Sequence, residues 1–497
     1  MYDISHWIGG QESAGSADTQ PIHNPATGEE IGVLHLGDAS TVDEAVRSAA
    51  EAQRSWAGAS LARRTQVLYR MRELVIGATD EIAAAITREH GKTLPDARGE
   101  IARGLETLEF ATSITQELKG MFAENVSTGV DVHTMRQPLG VVAGITPFNF
   151  PAMVPFWMHP IAIATGNAFI LKPSERDPST SNIIARLYQE AGLPDGVFQV
   201  VHGGKETVDA LLTHPGVAAV SFVGSTPIAR HVHETATKHG KRVQALGGAN
   251  NHAVVMPDAN IQLAAAQIAS GAFGSAGERC MAVPVAVTVG DAHDAFVEAI
   301  AEEARKLVVG PGDRDSTDMP PVITPDARDR VIRMTDEAEA AGATVVVDGR
   351  ALVVEGHEGG NFVGPVVLTD VPRDHSTYTD EVFGPLLVVM HVNNFDEALE
   401  LVNSSPFGNG TAIFTASGHY ARRYQEEVTV GMIGVNVPIP TPVGYSSFGG
   451  WKDSLFGEHH AHGPEAVSFY TRQKAITTRW PHQDEHLEAS MSFPTHS

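Results

Sequence analysis

Hydrophobic and polar positions change rhythm along this 497-residue chain. Residues 1–40 are short, turn-rich and strand-like, with Asn24-Pro-Ala-Thr-Gly28 as a turn signal. Helical spacing follows. Val42, Ala45, Val46 and Ala49 form one stripe, and Thr41 with Glu44 three residues on predicts a capping box ahead of it. Further helices are expected over Ala62–Ile76, over Asp80–Glu89 with Gly91 closing it, and over Asp96–Leu118. Val130–Gln137 alternates and reads as an exposed strand.

From Val141 the pattern becomes short, near-continuous apolar runs: Val141–Thr146, Ala168–Lys172, Val197–His202 and Ala218–Val223, with helical patterns such as Ser181–Glu190 between them. Strands apolar on both faces that alternate with helices predict a parallel sheet covered on both sides, which binds ligands at the carboxyl ends of its strands. The alternation restarts at Ala253–Met256 and continues through helices over Ile261–Phe273 and Ala292–Leu307 to a strand over Thr411–Phe414. A second α/β domain is therefore expected. The tail from Gly444 reads as irregular and ends in a histidine-sprinkled stretch that looks unstructured.

Composition narrows the classes. Nearly five hundred residues exceed one ordinary core, so two or three domains are expected. The formal charge of −25 repels nucleic acid and anionic membranes, and no 18-residue apolar run or basic-then-apolar leader is present. One cysteine in the whole chain suits a reducing cytoplasm and rules out an internal disulfide.

That cysteine, Cys280, lies in Phe273-Gly-Ser-Ala-Gly-Glu-Arg-Cys-Met-Ala282. Alone it is either a small buried hydrophobe or a nucleophile; the small residues around it and the adjacent Arg279 favour reactivity. Pro147-Phe-Asn-Phe-Pro151 follows an apolar strand directly, so Asn149 is either a structural cap or a donor to a developing oxyanion. Lys172 and Glu175, also just past a strand, suit ribose hydroxyls, and Phe222-Val-Gly-Ser-Thr-Pro-Ile228 offers a helix start to an anion without the G-x-G-x-x-G spacing. Glu381-Val-Phe-Gly-Pro385 places a carboxylate and an aromatic before a strand. His90-Gly-Lys-Thr93 lacks the earlier glycine and the strand of a P-loop, and Glu458-His-His-Ala-His-Gly463 lacks the ligand spacing of a zinc site, so no metal is expected.

With these motifs in chain order the sequence resembles the aldehyde dehydrogenase superfamily over nearly its whole length, on Pro147–Pro151, Lys172–Glu175, Phe222–Ser225, Leu246–Gly248, the Cys280 segment, Glu381–Pro385 and Phe448–Gly450. Within it the chain is similar to the CoA-acylating methylmalonate-semialdehyde dehydrogenases, on Gly277–Ala282, Phe148–Val154 and Gly450–Gly463 followed by Phe469-Tyr-Thr-Arg472. The resemblance implies a fold of two doubly wound parallel-sheet domains with a small β oligomerisation element. It divides the chain into an NAD-binding part (1–120 and 140–246), a catalytic part (247–440), and an oligomerisation element and tail (121–139 and 441–497), in a homotetramer.

It also implies Cys280 as nucleophile and Asn149, with the Cys280 N–H, as oxyanion hole. Thr146, Phe148, Lys172, Glu175, Arg176, Ser225, Gly247 and Glu381 would contact NAD, and Arg103 and Arg279 would hold a substrate carboxylate. Two positions depart from the family. Ala229 replaces a frequent helix-start glycine, and Ala245 stands where hydrolytic members carry the glutamate that activates water. Without that base a thiolate such as CoA is the better acyl acceptor. The implied reaction is oxidation and decarboxylation of methylmalonate or malonate semialdehyde to propionyl-CoA or acetyl-CoA; the alternative is a hydrolytic enzyme releasing free acid.

Overall fold

The strand from Val141 shows why its run is apolar throughout. Val141, Ala143 and Ile145 pack into one buried cluster, with the Val42, Ala45, Val46 and Ala49 helical stripe, while Val142 packs into another on the opposite face of the sheet. Ala168 and Ile170 share the first cluster, Phe169 and Leu171 the second. Burial on both faces removes the polar alternation of a half-exposed strand. This computed structural model describes residues 1–15, 18–481, 483 and 491.

Among the described residues there are two large sheets. The first has eight strands in the order Leu455–Phe456, Arg242–Leu246, Val217–Val223, Val141–Ile145, Ala168–Lys172, Phe198–Val200, His6–Ile8 and Gln11–Ser13. Its five central strands are parallel and its edges antiparallel. Strand order reverses between Val141–Ile145 and Val217–Val223, and the crevice outside the carboxyl ends there is the usual ligand site of an open α/β sheet. The second sheet has seven strands, with His252–Val255 at its own reversal between Val285–Val289 and Gly410–Phe414. Helices cover it around a separate core. The fold is mixed α/β with two parallel-dominated sheets, as the alternation predicts.

A smaller antiparallel sheet joins Phe122–Ser127, Val130–Pro138 and Thr471–Arg479. Its third strand corrects the expectation of an irregular tail. Thr471–Arg479 is mostly polar and exposed and has no periodicity of its own; nine paired residues against Val130–Pro138 make it a strand. Leu455–Phe456 adds an edge to the first sheet, and Trp451–Lys452 pairs with Phe407–Gly408. The far end of the tail falls mostly outside the described residues.

Helix boundaries differ in two places. The capping box sits three residues earlier than expected: Asp38 is the N-cap, its side chain accepts from Thr41 N at 2.9 Å, and Asp38 N donates back to Thr41 Oγ1 at 3.4 Å. Thr41 is thus the closing member of the box, because the helix Ala39–Gly58 starts before the apolar stripe does. The expected Asp96–Leu118 helix runs Leu94–Thr112, breaks at Ser113, and resumes as Ile114–Glu117. No helix among the described residues is long and apolar enough to cross a membrane.

Candidate active site

Cys280 is delivered by an unusual turn. The helix Ile261–Phe273 ends, and Ser275, Ala276 and Gly277 follow with φ of 53°, 51° and 74°. Left-handed backbone costs a residue with a Cβ roughly 1–2 kcal/mol, so the chain is held there by its surroundings. Gly277 is required: a Cβ would stand 2.3 Å from the Gly384 carbonyl oxygen. A Cβ on Gly274 would meet the Arg279 guanidinium at 2.5 Å. Beyond the turn, the Asn251 and Asn409 amides both donate to the Cys280 carbonyl, at 3.0 and 3.1 Å.

The cleft lies between unlike sheet ends. The first sheet contributes loops beyond its carboxyl ends, carrying Phe148, Asn149, Ser225 and Gly247, as expected. The second contributes loops ahead of its strands, with Cys280 before Val285–Val289 and Glu381 before Leu386–Val392.

Cys280 is partly exposed and lines two cavities at once. The first, of about 330 Å³, is also lined by Phe148, Asn149, Arg176, Ser225, Gly247 and Glu381. The second, of about 400 Å³, is lined by Arg103 and Arg279 with Phe150, Trp157, Ile439 and Phe448. The folded chain therefore brings together nine of the twelve residues singled out in the sequence. Lys172 and Glu175 pair with each other at 3.0 Å outside these cavities, Glu175 beside a third one of about 320 Å³ that shares Arg176 with the first. Thr146 is buried at the strand end, lining none of the three, and its Oγ1 has no partner.

Electrostatics on the two sides differ. Burial pushes the Cys280 thiol up to about 12, Glu381 pushes the same way, and the backbone N–H groups of Cys280 and Met281 with Arg279 oppose them. Burial likewise raises Glu381 to about 7, although its Oε1 accepts from Ala249 N at 2.9 Å. Burial raises Glu278 to about 8; its carboxyl, which accepts from Ile323 N at 3.1 Å, belongs to a residue lining the first cavity and was not singled out in the sequence. Burial pushes Glu175 upward most strongly, but Lys172, a backbone N–H and Arg176 together outweigh it and leave the carboxyl below its ordinary value. On the other side Arg279 donates to Asp96 at 2.7 Å, and Arg103 donates to both Glu106 oxygens at 2.8 Å and to the Pro442 carbonyl at 2.7 Å. Both guanidiniums are thus fixed in direction beside a space whose other walls are aromatic and aliphatic apart from Asp96, Glu100 and Thr441.

A thiol that shares a glycine-lined cavity with an asparagine and borders an arginine-flanked cavity on its other side suits addition to a carbonyl. A model of the aldehyde dehydrogenase family matches residues 12–476. The chain belongs to this family. It is 50% identical over 496 residues to a malonate-semialdehyde dehydrogenase of Pseudomonas aeruginosa, covering 100% of both chains. Over 473 residues it is 45% identical to the mitochondrial acylating methylmalonate-semialdehyde/malonate-semialdehyde dehydrogenase of Bos taurus, covering 95% of this chain and 87% of the relative. Among solved structures, the NAD complex of a protein named as a methylmalonate-semialdehyde dehydrogenase from Sinorhizobium meliloti 1021 superposes with a TM-score of 0.96 at 47% identity, covering 97% of this chain and 99% of that one.

Two sequence departures of this family member have structural answers. Ala229 is fully buried in the first turns of the helix Thr226–Lys238, and its N–H reaches the Ser225 carbonyl at 2.9 Å, so the methyl group is accommodated. Ala245 is fully buried between Phe222 and Phe456 in neighbouring strands and lines neither cavity. It brings no proton-transfer group to Cys280.

Proposed function

We propose that this chain is an NAD-dependent, CoA-acylating dehydrogenase of malonate or methylmalonate semialdehyde. The observation that carries the reading is Cys280 at the junction of a cavity fit for a dinucleotide and one fit for a small acid. The first fits NAD on two counts: glycines 247 and 248 in its wall, where a Cβ would collide with Asp453 O or Glu381 Oε2, and a helix start at Ser225 whose side chain leaves the first-turn N–H groups uncapped. Phe148, Arg176, Ser225, Gly247 and Glu381 would hold it, with Thr146, Lys172 and Glu175 toward the ribose. Bound NAD supplies the hydride acceptor.

The residues of the chain do the rest. Cys280 loses its proton and its sulfur bonds to the aldehyde carbon, while the Asn149 amide donates to the oxygen that becomes the alkoxide. Loss of hydride from that carbon leaves a thioester on Cys280. Arg103 and Arg279 hold the substrate carboxylate by charge-assisted hydrogen bonds. In a β-carboxy thioester the bond to the carboxyl carbon breaks, CO2 leaves, and the electron pair passes to the thioester carbonyl and then to a proton at carbon. The CoA thiolate then takes the acyl group and releases Cys280. On this reading residues 1–120 and 140–246 bind NAD, 247–440 carry the catalytic residues, and the small antiparallel sheet joins copies into a homotetramer.

A hydrolytic reading, releasing free acid, draws on Glu381 and Glu278. Both line the cavity that Cys280 shares, with carboxyls near 7 and 8, where a general base can work. Ala245 in place of the family's water-activating carboxylate favours CoA. The deciding experiment incubates protein, malonate semialdehyde and NAD with and without CoA. Acetyl-CoA and CO2 are expected, with NADH limited to about one turnover when CoA is withheld. Rapid multiple turnover without CoA would sink the acylating assignment.

A further inference from the structure

Beneath the Asn149 loop lies a buried ion pair that the chemistry above leaves unused. The helix Thr79–His90 ends at Gly91, whose φ is 96°, and the next residue, Lys92, turns into the interior with no exposed surface. Its Nζ donates to Glu100 Oε2 at 2.5 Å and to the Asn149 carbonyl at 2.7 Å, and lies 4.2 Å over the Phe150 ring. Glu100, on the helix Leu94–Thr112, is also buried. Its other oxygen accepts from Ala152 N at 2.9 Å and Met153 N at 3.2 Å, where the helix Met153–Ala164 begins.

One ion pair thus grips both ends of Asn149-Phe-Pro-Ala-Met153. A buried pair is weak evidence for stability, since well-packed apolar residues of similar volume are often as stable or more so. What it does supply is direction. The carbonyl and amides it binds belong to the segment that aims the Asn149 side chain, and oxyanion donors act only if held where charge develops.

We propose that Lys92 and Glu100 are positioning residues that hold the Asn149 amide on the alkoxide formed at Cys280. This rests on Asn149 being the oxyanion donor, and the test separates the two claims. The experiment measures single-turnover NADH formation in four proteins: wild type, Asn149→Ala, the apolar double replacement Lys92→Met with Glu100→Leu, and all three changes together. NAD affinity, iodoacetamide labelling of Cys280 and melting temperature are recorded alongside.

Asn149→Ala is expected to slow the burst by about 10²–10³-fold. The apolar pair is expected to slow it by about tenfold or more while NAD affinity and labelling stay within about twofold, and to add less than about twofold once Asn149 is gone. Glu100→Gln, which keeps an acceptor for Ala152 and Met153, should show a smaller loss with the same dependence on Asn149; it carries the test if the apolar pair does not fold. Losses that multiply in full would make the pair a structural element independent of Asn149 and overturn the proposal, as would an unchanged burst in the pair variants. An unchanged burst in Asn149→Ala would overturn the oxyanion reading itself and the positioning claim with it.

Discussion

Arg279 donates to Asp96 at 2.7 Å, tying the residue before Cys280 to the helix that also carries Glu100 and Arg103. Asp96, Glu100 and Arg103 recur at four- and three-residue spacing, so they share one face, and all three line the second cavity. That face orients Arg279 through Asp96, the Asn149 loop through Glu100, and Arg103 directly. If the two arginines recognise a carboxylate, Arg103→Met and Arg279→Met should each raise the KM for malonate semialdehyde by about 10–100-fold, the worth of a hydrogen bond to a charged group. Propanal, which lacks the carboxylate, should be oxidised with its KM nearly unchanged. Steady-state kinetics with both aldehydes decide it; equal losses on both would mean the arginines shape the loop and do not read the substrate.

Cys280 is the one cysteine in the chain, so thiol labelling reports on it alone. With burial and Glu381 pushing its proton affinity up to about 12, the cofactor-free protein should react slowly with iodoacetamide at neutral pH. The rate should climb about tenfold per pH unit toward pH 10, because only the thiolate attacks. Glu381→Gln removes a negative charge, favours the thiolate, and should label several-fold faster at pH 9. Mass spectrometry of the labelled protein gives the rates. A plateau near the ordinary thiol value, or a variant no faster than wild type, would contradict this electrostatic account.

Gly277 should be irreplaceable in a way that Gly58 is not. Its φ of 74° and the 2.3 Å approach of the Gly384 carbonyl mean that Gly277→Ala pays both a left-handed penalty and a backbone clash. A loss of roughly 2 kcal/mol or more is expected from urea unfolding. Catalytic activity should fall as well, since the turn sets where Cys280 lies. Gly58 ends the helix Ala39–Gly58 with open space around its Cβ direction, so Gly58→Ala should be neutral or slightly stabilising. Equal stability of the two variants would show that the 274–277 turn relaxes freely.

The parallel sheets were legible because burial on both faces writes itself into the chain as unbroken apolar runs. Cys280 and Asn149, which the fold brings to one cavity, were legible as candidates from their short, stiff motifs. Thr471–Arg479 was not, because its strand character comes from a partner more than three hundred residues away. Lys92 and Glu100 were missed for a related reason. A lysine followed eight residues later by a glutamate looks like ordinary surface charge, and only the fold reveals that both are buried against the Asn149 loop. Glu278 was hidden in plain view beside Arg279: its neighbours suggest exposure, whereas the left-handed turn before it swings its carboxyl inward to Ile323.

Glu278 also yields a prediction about stability and pH. Its folded value, about 8, lies above the 4.5 of an ordinary glutamate, so the folded chain retains a proton that the unfolded chain releases. Its contribution is therefore full below about pH 4.5 and is lost as pH rises through about 8, where folding must bury a bare carboxylate. Glu278→Gln stays neutral throughout and its amide oxygen can still accept from Ile323 N. The stability of the variant relative to wild type should rise steadily between pH 5 and pH 9, by on the order of a few kcal/mol, and its melting temperature should rise relative to wild type in the same sense. Glu381 is raised in the same sense, but it is present in both proteins and cancels in the difference. Thermal melts of the pair across that range check the sign, and parallel curves would mean that Glu278 is ionised in the folded chain at neutral pH.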